Sequence, residues 1–229
     1  MRKKDYVVAG AVLFVFAYLL FAPGVMDRFI ELTRQQPYWM SFIKFAMLAT
    51  LGECIALRIT TGVYNRPGFG IVPKFFVWGV LGAVCKLAFT IFGSGTPVAL
   101  AELGISLGDG SGFGARLVTA LFISIFLNTL YAPVFMTAHK ISDLHIAKTG
   151  GRLGGFFSRP NVAELLHSID WRSLWGFVFK KTLPFFWIPA HTITFLLPSH
   201  FQVLFAALLS IALGVILAFA GLKSANRQT

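Results

Sequence analysis

Residues 117–138 read LVTALFISIFLNTLYAPVFMTA, a run of 22 residues without one charged side chain. About 20 apolar residues in a helix cross the hydrocarbon core of a bilayer, so this run is long enough to span a membrane. Five further apolar stretches of comparable length occupy residues 6–22, 38–57, 75–92, 174–197 and 201–222. The sequence therefore predicts an all-α fold. The whole chain, residues 1–229, forms one polytopic transmembrane helical bundle of about six spans.

The composition supports a membrane protein and argues against other classes. Apolar residues make up 56% of the chain and charged residues 13%, whereas a soluble domain carries about 25% charge. The net charge of +11 does not indicate nucleic-acid binding, because the cations lie at span ends and in loops rather than in one basic stripe. Cys54 and Cys85 fall within apolar spans, so they predict neither a disulfide framework nor a metal site. We expect no metal and no cofactor.

The Lys and Arg residues near the span ends are divided unevenly between the two sides of the membrane. If all six stretches cross, thirteen of these cations lie at the N-terminus, in the even-numbered loops and in the tail, against three in the odd-numbered loops. Because the inner side of a membrane protein carries the excess of Lys and Arg, both termini are predicted to lie inside. The thirteen are Arg2, Lys3, Lys4, Arg58, Arg66, Lys74, Lys140, Lys148, Arg152, Arg159, Arg172, Lys223 and Arg227, and the three are Arg28, Arg34 and Arg116.

A short amphipathic helix is predicted at residues 160–169, in the loop between spans four and five. Pro160 suits the first turn of a helix. Apolar residues then recur at the spacing of one helical face, namely Val162, Leu165, Leu166 and Ile169. Because cations flank this segment, we expect it to lie on the inner membrane surface. Asp170 is expected to cap the helix that follows.

Three charged residues fall inside predicted spans, namely Lys44, Glu53 and Lys86. Each costs on the order of 3 kcal/mol to insert, so such residues face water or a partner. At a rise of about 1.5 Å per residue, Lys44 and Lys86 both lie roughly 9 Å from the outer ends of their spans. They either line an aqueous vestibule that attracts anions or extend to the outer headgroups. Glu53, near the inner end, is either the structural partner of a nearby cation or a proton carrier.

Uncharged polar residues reach the middle of two spans that run in opposite directions. Asn128 lies halfway along span four, followed by Pro133, and His191 lies halfway along span five, next to Pro189. Proline removes a backbone donor and bends a helix. Interrupted helices at the membrane midplane are typical of permeation sites. The alternative is that Asn128 and His191 are bonded to each other and simply hold the helices together.

Several short motifs resemble those of the Mpv-seventeen and peroxisomal-membrane-protein family. Pro37 and residues 48–56, LATLGECIA, resemble its first block, with Glu53 in place of an aspartate. Residues 128–133, NTLYAP, resemble its Asp-Gln-x-x-Phe-Ala-Pro block. Two further segments, 187–190 (WIPA) and 198–202 (PSHFQ), resemble its last signature, in which Gln202 replaces an arginine.

The resemblance covers about residues 37–222 and leaves the first span as an addition. It implies a helical protein of an organelle membrane with pore activity for small solutes. Because no Arg- and Ser-rich transit peptide precedes the first span, a prokaryotic relative in the cytoplasmic (inner) membrane is the expectation, with an organelle membrane otherwise.

From these residues we predict an integral membrane channel for small solutes, with a preference for anions if the vestibule hypothesis holds. The alternative is a non-conducting membrane-assembly or scaffold protein, and a membrane-embedded enzyme ranks third. The expected partners are the lipid bilayer and small solutes, not nucleic acid, and a homo-oligomer is left open. The candidate pore or polar-core residues are Lys44, Glu53, Lys86, Asn128, Pro133, Pro189 and His191.

Overall fold

The computed structural model describes residues 3–105 and 112–225, and every regular element in these two ranges is helical. Arg2 and Arg227, which contribute to the charge asymmetry above, lie outside the described residues. The helices are α1 (Lys3–Phe21), α2 (Val25–Gln35), α3 (Pro37–Thr61), α4 (Ile71–Glu102), α5 (Phe113–Phe126), the π-helical segment π1 (Leu127–Tyr131), α6 (Ala132–Lys148), α7 (Leu153–Phe156), α8 (Val162–His167), α9 (Trp171–Ser173), a second π-helical segment π2 (Leu174–Trp187), α10 (Ile188–Leu196) and α11 (Ser199–Ala225).

Five helices in the described part of the chain are long and apolar enough to cross a membrane, which indicates a multi-pass membrane protein. They are Lys3–Phe21, Pro37–Thr61, Ile71–Glu102, Phe113–Lys148 and Ser199–Phe219. The predicted span 174–197 is helical from Trp171 to Leu196 but is not one of the five. Lys180, Lys181 and His191 lower the mean hydropathy of this segment. A sixth crossing is therefore a proposal and is not among the five candidate spans.

The centre of the bundle is α3, which packs against both α4 and α11. Their contact is built from small residues and phenylalanines, namely Phe45, Ala49, Cys85, Ala88, Phe89, Val203, Ala206 and Ala207. One close approach is at Gly82 of α4, where a Cβ atom would lie 2.6 Å from the carbonyl oxygen of Ser41. Small residues of this kind let membrane helices approach closely enough for dispersion contacts to stabilise them.

The first helix stands apart from this core. No residue of α1 is buried. Its carboxylate at Asp5 accepts hydrogen bonds from Arg58 Nε at 2.7 Å and Arg58 Nη2 at 2.8 Å, and from the Tyr64 hydroxyl at 3.0 Å. This ion pair ties the start of α1 to the end of α3.

Prolines widen two long helices without interrupting them. The segment π1 directly precedes Pro133, and π2 contains Pro184 and ends just before Pro189. A proline leaves the carbonyl one turn earlier without its helical donor, and a locally wider turn is a common adjustment. The prolines of the fifth span were expected to bend it, and the chain is helical without a break from Trp171 to Leu196.

The peripheral helices differ from expectation in two places. Residues 25–35, treated above as part of a loop, form α2. The helix predicted at 160–169 is shorter and begins after Asn161, which caps it by accepting from the Glu164 amide at 3.2 Å. Pro160 therefore lies before the helix, and Ile169 lies after its end. Asp170 caps α9 as expected, accepting from the Ser173 amide at 3.1 Å.

The tight contact at Gly82 generates a stability prediction. In Gly82→Ala the new methyl group meets both the Phe45 Cβ and the Ser41 carbonyl. Overpacking of this kind costs about 1–3 kcal/mol. We expect an earlier unfolding midpoint for this variant in denaturant-titrated micelles.

The matched control is Gly93→Ala, because Gly93 lies on the same helix and a Cβ there meets nothing within 4 Å. It should be neutral or slightly stabilising, since Ala is the better helix former. Equal stability of the two variants would contradict the close α3–α4 contact.

Candidate functional site

A cavity of about 280 Å³ lies at the centre of the bundle. It is bounded by α3, α4, π1, α6, π2, α10 and α11, and its walls are mostly apolar. The aromatic rings that line it are Phe45, Trp78, Phe89, Tyr131, Phe135 and Trp187, and the polar side chains are Glu53, Asn128, His139, Asp143, His191 and Ser210. A mostly apolar enclosure with a few polar groups is typical of small-molecule sites.

Three of the residues singled out in the sequence line this cavity together, namely Glu53, Asn128 and His191. Lys44 and Lys86 do not line it. Pro133 and Pro189 also do not line it, and they lie in the first turns of α6 and α10. The two prolines therefore act on the helices that carry the polar side chains rather than on the cavity itself.

Asn128 and His191 bond to each other across the bundle. Asn128 Nδ2 lies 3.0 Å from His191 Nδ1 and donates to the Ser124 carbonyl at 2.8 Å. Because the amide nitrogen is the donor, Nδ1 accepts and a neutral His191 ring carries its proton on Nε2. The Ser124 hydroxyl donates to the Ile188 carbonyl at 2.7 Å, which adds a second link between α5 and α10.

Aromatic rings fix the His191 imidazole in place. The Trp187 ring stacks on it with centroids 5.0 Å apart, and the Phe89 ring meets it edge-on at 5.6 Å. The imidazole is therefore held by one hydrogen bond and two ring contacts from three different elements.

A cluster of charged residues lies at the other end of the cavity. Lys74 Nζ is 2.6 Å from Glu53 Oε2 and also contacts Asp143 Oδ1. Trp78 Nε1 donates to Glu53 Oε1 at 2.6 Å. His139 Nε2 lies 3.4 Å from Glu53 Oε1 and 3.7 Å from Asp143 Oδ2. We call these four titratable residues, Glu53, Lys74, His139 and Asp143, the charged cluster.

The charged cluster also has the composition of a metal site. One ligand atom each from Glu53, His139 and Asp143 lies within 4.8 Å of the others. The Lys74 ammonium, however, already bonds both carboxylates. The Lys74 side chain thus pairs with both acids, and a metal ion bound by them would have to displace it.

The sequence pattern predicted only one member of the charged cluster, Glu53. Lys74 was assigned to a loop, but it lies in the first turn of α4 and is 8% exposed. His139 and Asp143 are four residues apart and so share one face of α6, which is a signal that the sequence contains. Their contact with Glu53 depends on how α3, α4 and α6 pack.

Several polar atoms of cavity-lining residues have no hydrogen-bond partner among the described residues. They are Asn128 Oδ1, Tyr131 OH and Trp187 Nε1. Buried polar atoms are nearly always satisfied by protein, water or ligand. These unpartnered atoms lie on π1 and π2 at the cavity wall, which favours a cavity that holds water or a small polar solute.

The two predicted lysines lie at the end of the bundle where α2 packs. Lys44 is 5% exposed, and its Nζ donates to Thr33 Oγ1 at 2.9 Å and lies 4.5 Å from the Phe29 ring centroid. It therefore does not extend to the surface, because α2 covers it. Lys86 Nζ donates to Thr90 Oγ1, one turn along its own helix, at 2.9 Å.

In comparisons with known proteins, no protein-family model matches the chain, and neither a curated protein nor a solved structure does. The resemblance to the Mpv-seventeen and peroxisomal-membrane-protein family stays a prediction.

The bond between Asn128 and His191 can be tested by a double-mutant cycle. Asn128→Leu should lower the free energy of unfolding by about 1 kcal/mol, because hydrogen bonds between membrane helices contribute on that order. His191→Phe should lower it similarly. The double variant should lose less than the sum of the two, because both single changes remove one interaction.

Unfolding is measured by circular dichroism in mixed micelles with increasing sodium dodecyl sulfate. Thr129→Val is the control, since the Thr129 hydroxyl bonds only to the backbone of its own helix turn and is exposed. Strict additivity of the two changes would show that the pair contributes no coupling.

Proposed function

We propose that this protein conducts small solutes across a membrane through the central cavity. The observation that carries the proposal is that polar side chains from opposite-running helices, Glu53, Asn128 and His191, meet in one cavity inside an apolar bundle. Buried polar groups in a membrane are costly, so they mark pathways or binding sites more often than chance. The proposal includes no catalytic reaction.

In this proposal the bundle has six crossings, the sixth formed by residues 171–196, and both termini lie on the inner side. The excess of Lys and Arg at the N-terminus, in the even-numbered loops and in the tail supports this orientation. The membrane is then the cytoplasmic membrane of a prokaryote or an organelle membrane.

The size and lining of the cavity favour a small solute with apolar as well as polar character. A volume of about 280 Å³ is below the usual range for drug-sized ligands, about 300–1,000 Å³. Apolar side chains, six aromatic rings among them, provide most of the wall, while the unpartnered atoms of Asn128, Tyr131 and Trp187 provide hydrogen-bonding positions.

The charged cluster is proposed as the gate at one end of the pathway. Lys74 bonds Glu53 on α3 and Asp143 on α6, so it joins three helices at the cavity wall. A solute that passes this point has to separate or replace these contacts. Separating partly buried charges costs free energy, which favours a closed pathway at rest.

The rival function is a non-conducting membrane-assembly protein. One observation favours it: α1 has no buried residue, so an entire apolar helix is available to lipid, a partner or a second copy of the chain. In that case the Asn128–His191 bond only holds the bundle together.

Conduction is tested with purified protein in planar bilayers and in proteoliposomes, with chloride and glycerol as probes. Gly214 lines the central cavity, and a Cβ there meets only the Gly52 carbonyl, at 3.9 Å. Gly214→Leu should therefore fill the cavity and lower flux to the rate of empty liposomes.

The control for this experiment is Gly93→Leu, because Gly93 has open space around it and does not line the cavity. It should conduct like the unmodified chain. Absence of conductance above empty membranes, in several lipids and at several pH values, would favour the assembly protein.

Topology is tested by labelling single cysteines in a chain whose Cys54 and Cys85 are replaced by Ala. Leu103 and Phe157 are both exposed, at 69% and 73%, and lie in loops that should face opposite sides. Leu103→Cys should react with an impermeant maleimide added outside, and Phe157→Cys should react only after the membrane is opened. Labelling of both from the same side would exclude the proposed orientation.

A further inference from the structure

A second cavity, of about 240 Å³, lies at the α2 end of the bundle. It is formed by α2, α3, α4 and the start of α11. Its polar lining consists of two cations, three hydroxyl groups and one imidazole: Arg34, Lys86, Thr33, Ser41, Ser199 and His200. We call it the basic cavity.

A third cation, Lys44, lies directly behind the wall of the basic cavity. Its ammonium donates to the hydroxyl of Thr33, which lines the cavity, and lies 3.5 Å from the carbonyl oxygen of His200. The side chain is almost wholly buried, at 5% exposed. Arg34, Lys44 and Lys86 thus come from three different helices and converge on one place.

No negative charge of the described residues compensates these three cations. None has a carboxylate oxygen within 4.0 Å in residues 3–105 or 112–225. The acids of α2, Asp27 and Glu31, are exposed, and Glu31 accepts a hydrogen bond from Gln35.

At the opposite end of the bundle the buried lysine has counter-charges. There the buried Lys74 bonds two carboxylates, as a buried charge normally does. Lys44 is buried at least as deeply and has only a hydroxyl, a distant carbonyl and an aromatic ring. The described residues therefore leave the α2 end without a paired counter-charge, which an anionic ligand could supply.

We propose that the basic cavity binds an oxyanion of the phosphate or sulfate type, either a free ion or the phosphodiester of a lipid headgroup. Arg34 and Lys86 bond its oxygens, Thr33 and Ser199 supply hydroxyl donors, and Lys44 contributes charge from behind Thr33. The cavity is larger than a monatomic ion requires, and its several donors suit an anion with several oxygens. The positive end of the α11 helix dipole adds to the attraction.

This inference goes beyond the proposed function, because an anion can bind at the α2 end whether or not the central cavity conducts. Gly214→Leu separates the two. It should abolish flux yet leave anion binding unchanged, since Gly214 lines the central cavity and not the basic cavity.

Binding is measured with the purified full-length protein in detergent, by calorimetric titration with inorganic phosphate, with chloride at equal ionic strength as the reference. We expect saturable binding of phosphate and not of chloride. Arg34→Gln and Lys86→Met should each weaken it about tenfold or more, because a hydrogen bond between charged groups contributes at least that factor. Lys181→Met removes one exposed cation elsewhere and should leave the affinity unchanged.

The lipid source is tested in nanodiscs of phosphatidylcholine with one fifth phosphatidylglycerol, by native mass spectrometry of retained lipid. If a headgroup occupies the cavity, the unmodified chain retains phosphatidylglycerol and the Arg34→Gln and Lys86→Met variants lose it. Retained lipid without phosphate binding still supports the oxyanion site and identifies the lipid as its source.

Lys44→Met is tested by a second readout, the thermal unfolding midpoint, which rises with ligand binding. Phosphate should raise the thermal unfolding midpoint of the unmodified chain, whereas the variant should respond much less. Arg34→Gln affects an exposed residue, so its fold is not at risk and it serves as the comparison. Neither phosphate binding nor cation-dependent lipid retention, in variants that remain monodisperse and helical, would overturn the proposal.

Discussion

The absence of water inside a bilayer is the constraint on which this structure depends. A backbone N–H or C=O that faces hydrocarbon without a partner costs several kcal/mol, so a chain that crosses a membrane has to pair its backbone within each segment. This explains why the described residues form helices throughout and why prolines are accommodated within them. At Pro133, Pro184 and Pro189 the helix is widened or begins a new regular turn, and it is not opened to the surroundings.

Once the backbone is satisfied, the remaining cost lies in the polar side chains, and these are distributed in three layers. The charged cluster balances Lys74 against two carboxylates. The middle layer is neutral and consists of Asn128, His191 and Ser124, which bond to one another and to backbone carbonyls. At the α2 end Arg34, Lys44 and Lys86 have no carboxylate oxygen within 4.0 Å among the described residues. The electrostatic character therefore changes along the bundle axis from paired charges, to neutral dipoles, to unpaired cations.

The sequence was informative where a property depends on one helix alone. Length and apolar content are such properties, and five of the six predicted stretches correspond to helices able to cross a membrane. Single polar residues inside apolar runs were equally visible, which is why Glu53, Asn128 and His191 could be named in advance. The doubtful stretch, 174–197, is the one whose lysines and histidine weaken the apolar signal.

Properties that depend on contacts between helices could not be predicted in the same way. Lys74 reads as a loop cation because it follows a Gly- and Pro-rich segment, yet α4 begins at Ile71 and buries it. The depth comparison placed Lys44 and Lys86 at one level but could not show that α2 covers the first and leaves the second at a cavity wall. The amphipathic pattern of α2 was in the sequence, but its role as a cover follows only from Phe29 and Thr33 lying against Lys44.

The position of α2 makes the two cavities physically different environments. The central cavity is enclosed by the spanning helices themselves, so its shape is set by contacts such as Gly82 against Phe45, which tolerate little displacement. The basic cavity has one wall supplied by α2, an 11-residue helix with a single buried residue, Thr33. That residue is also the hydrogen-bond partner of Lys44. An anion that neutralises Lys44 would therefore stabilise the contact that keeps α2 in place. In this way the charge at one end of the bundle and the position of the helix that covers it are linked through one hydroxyl group.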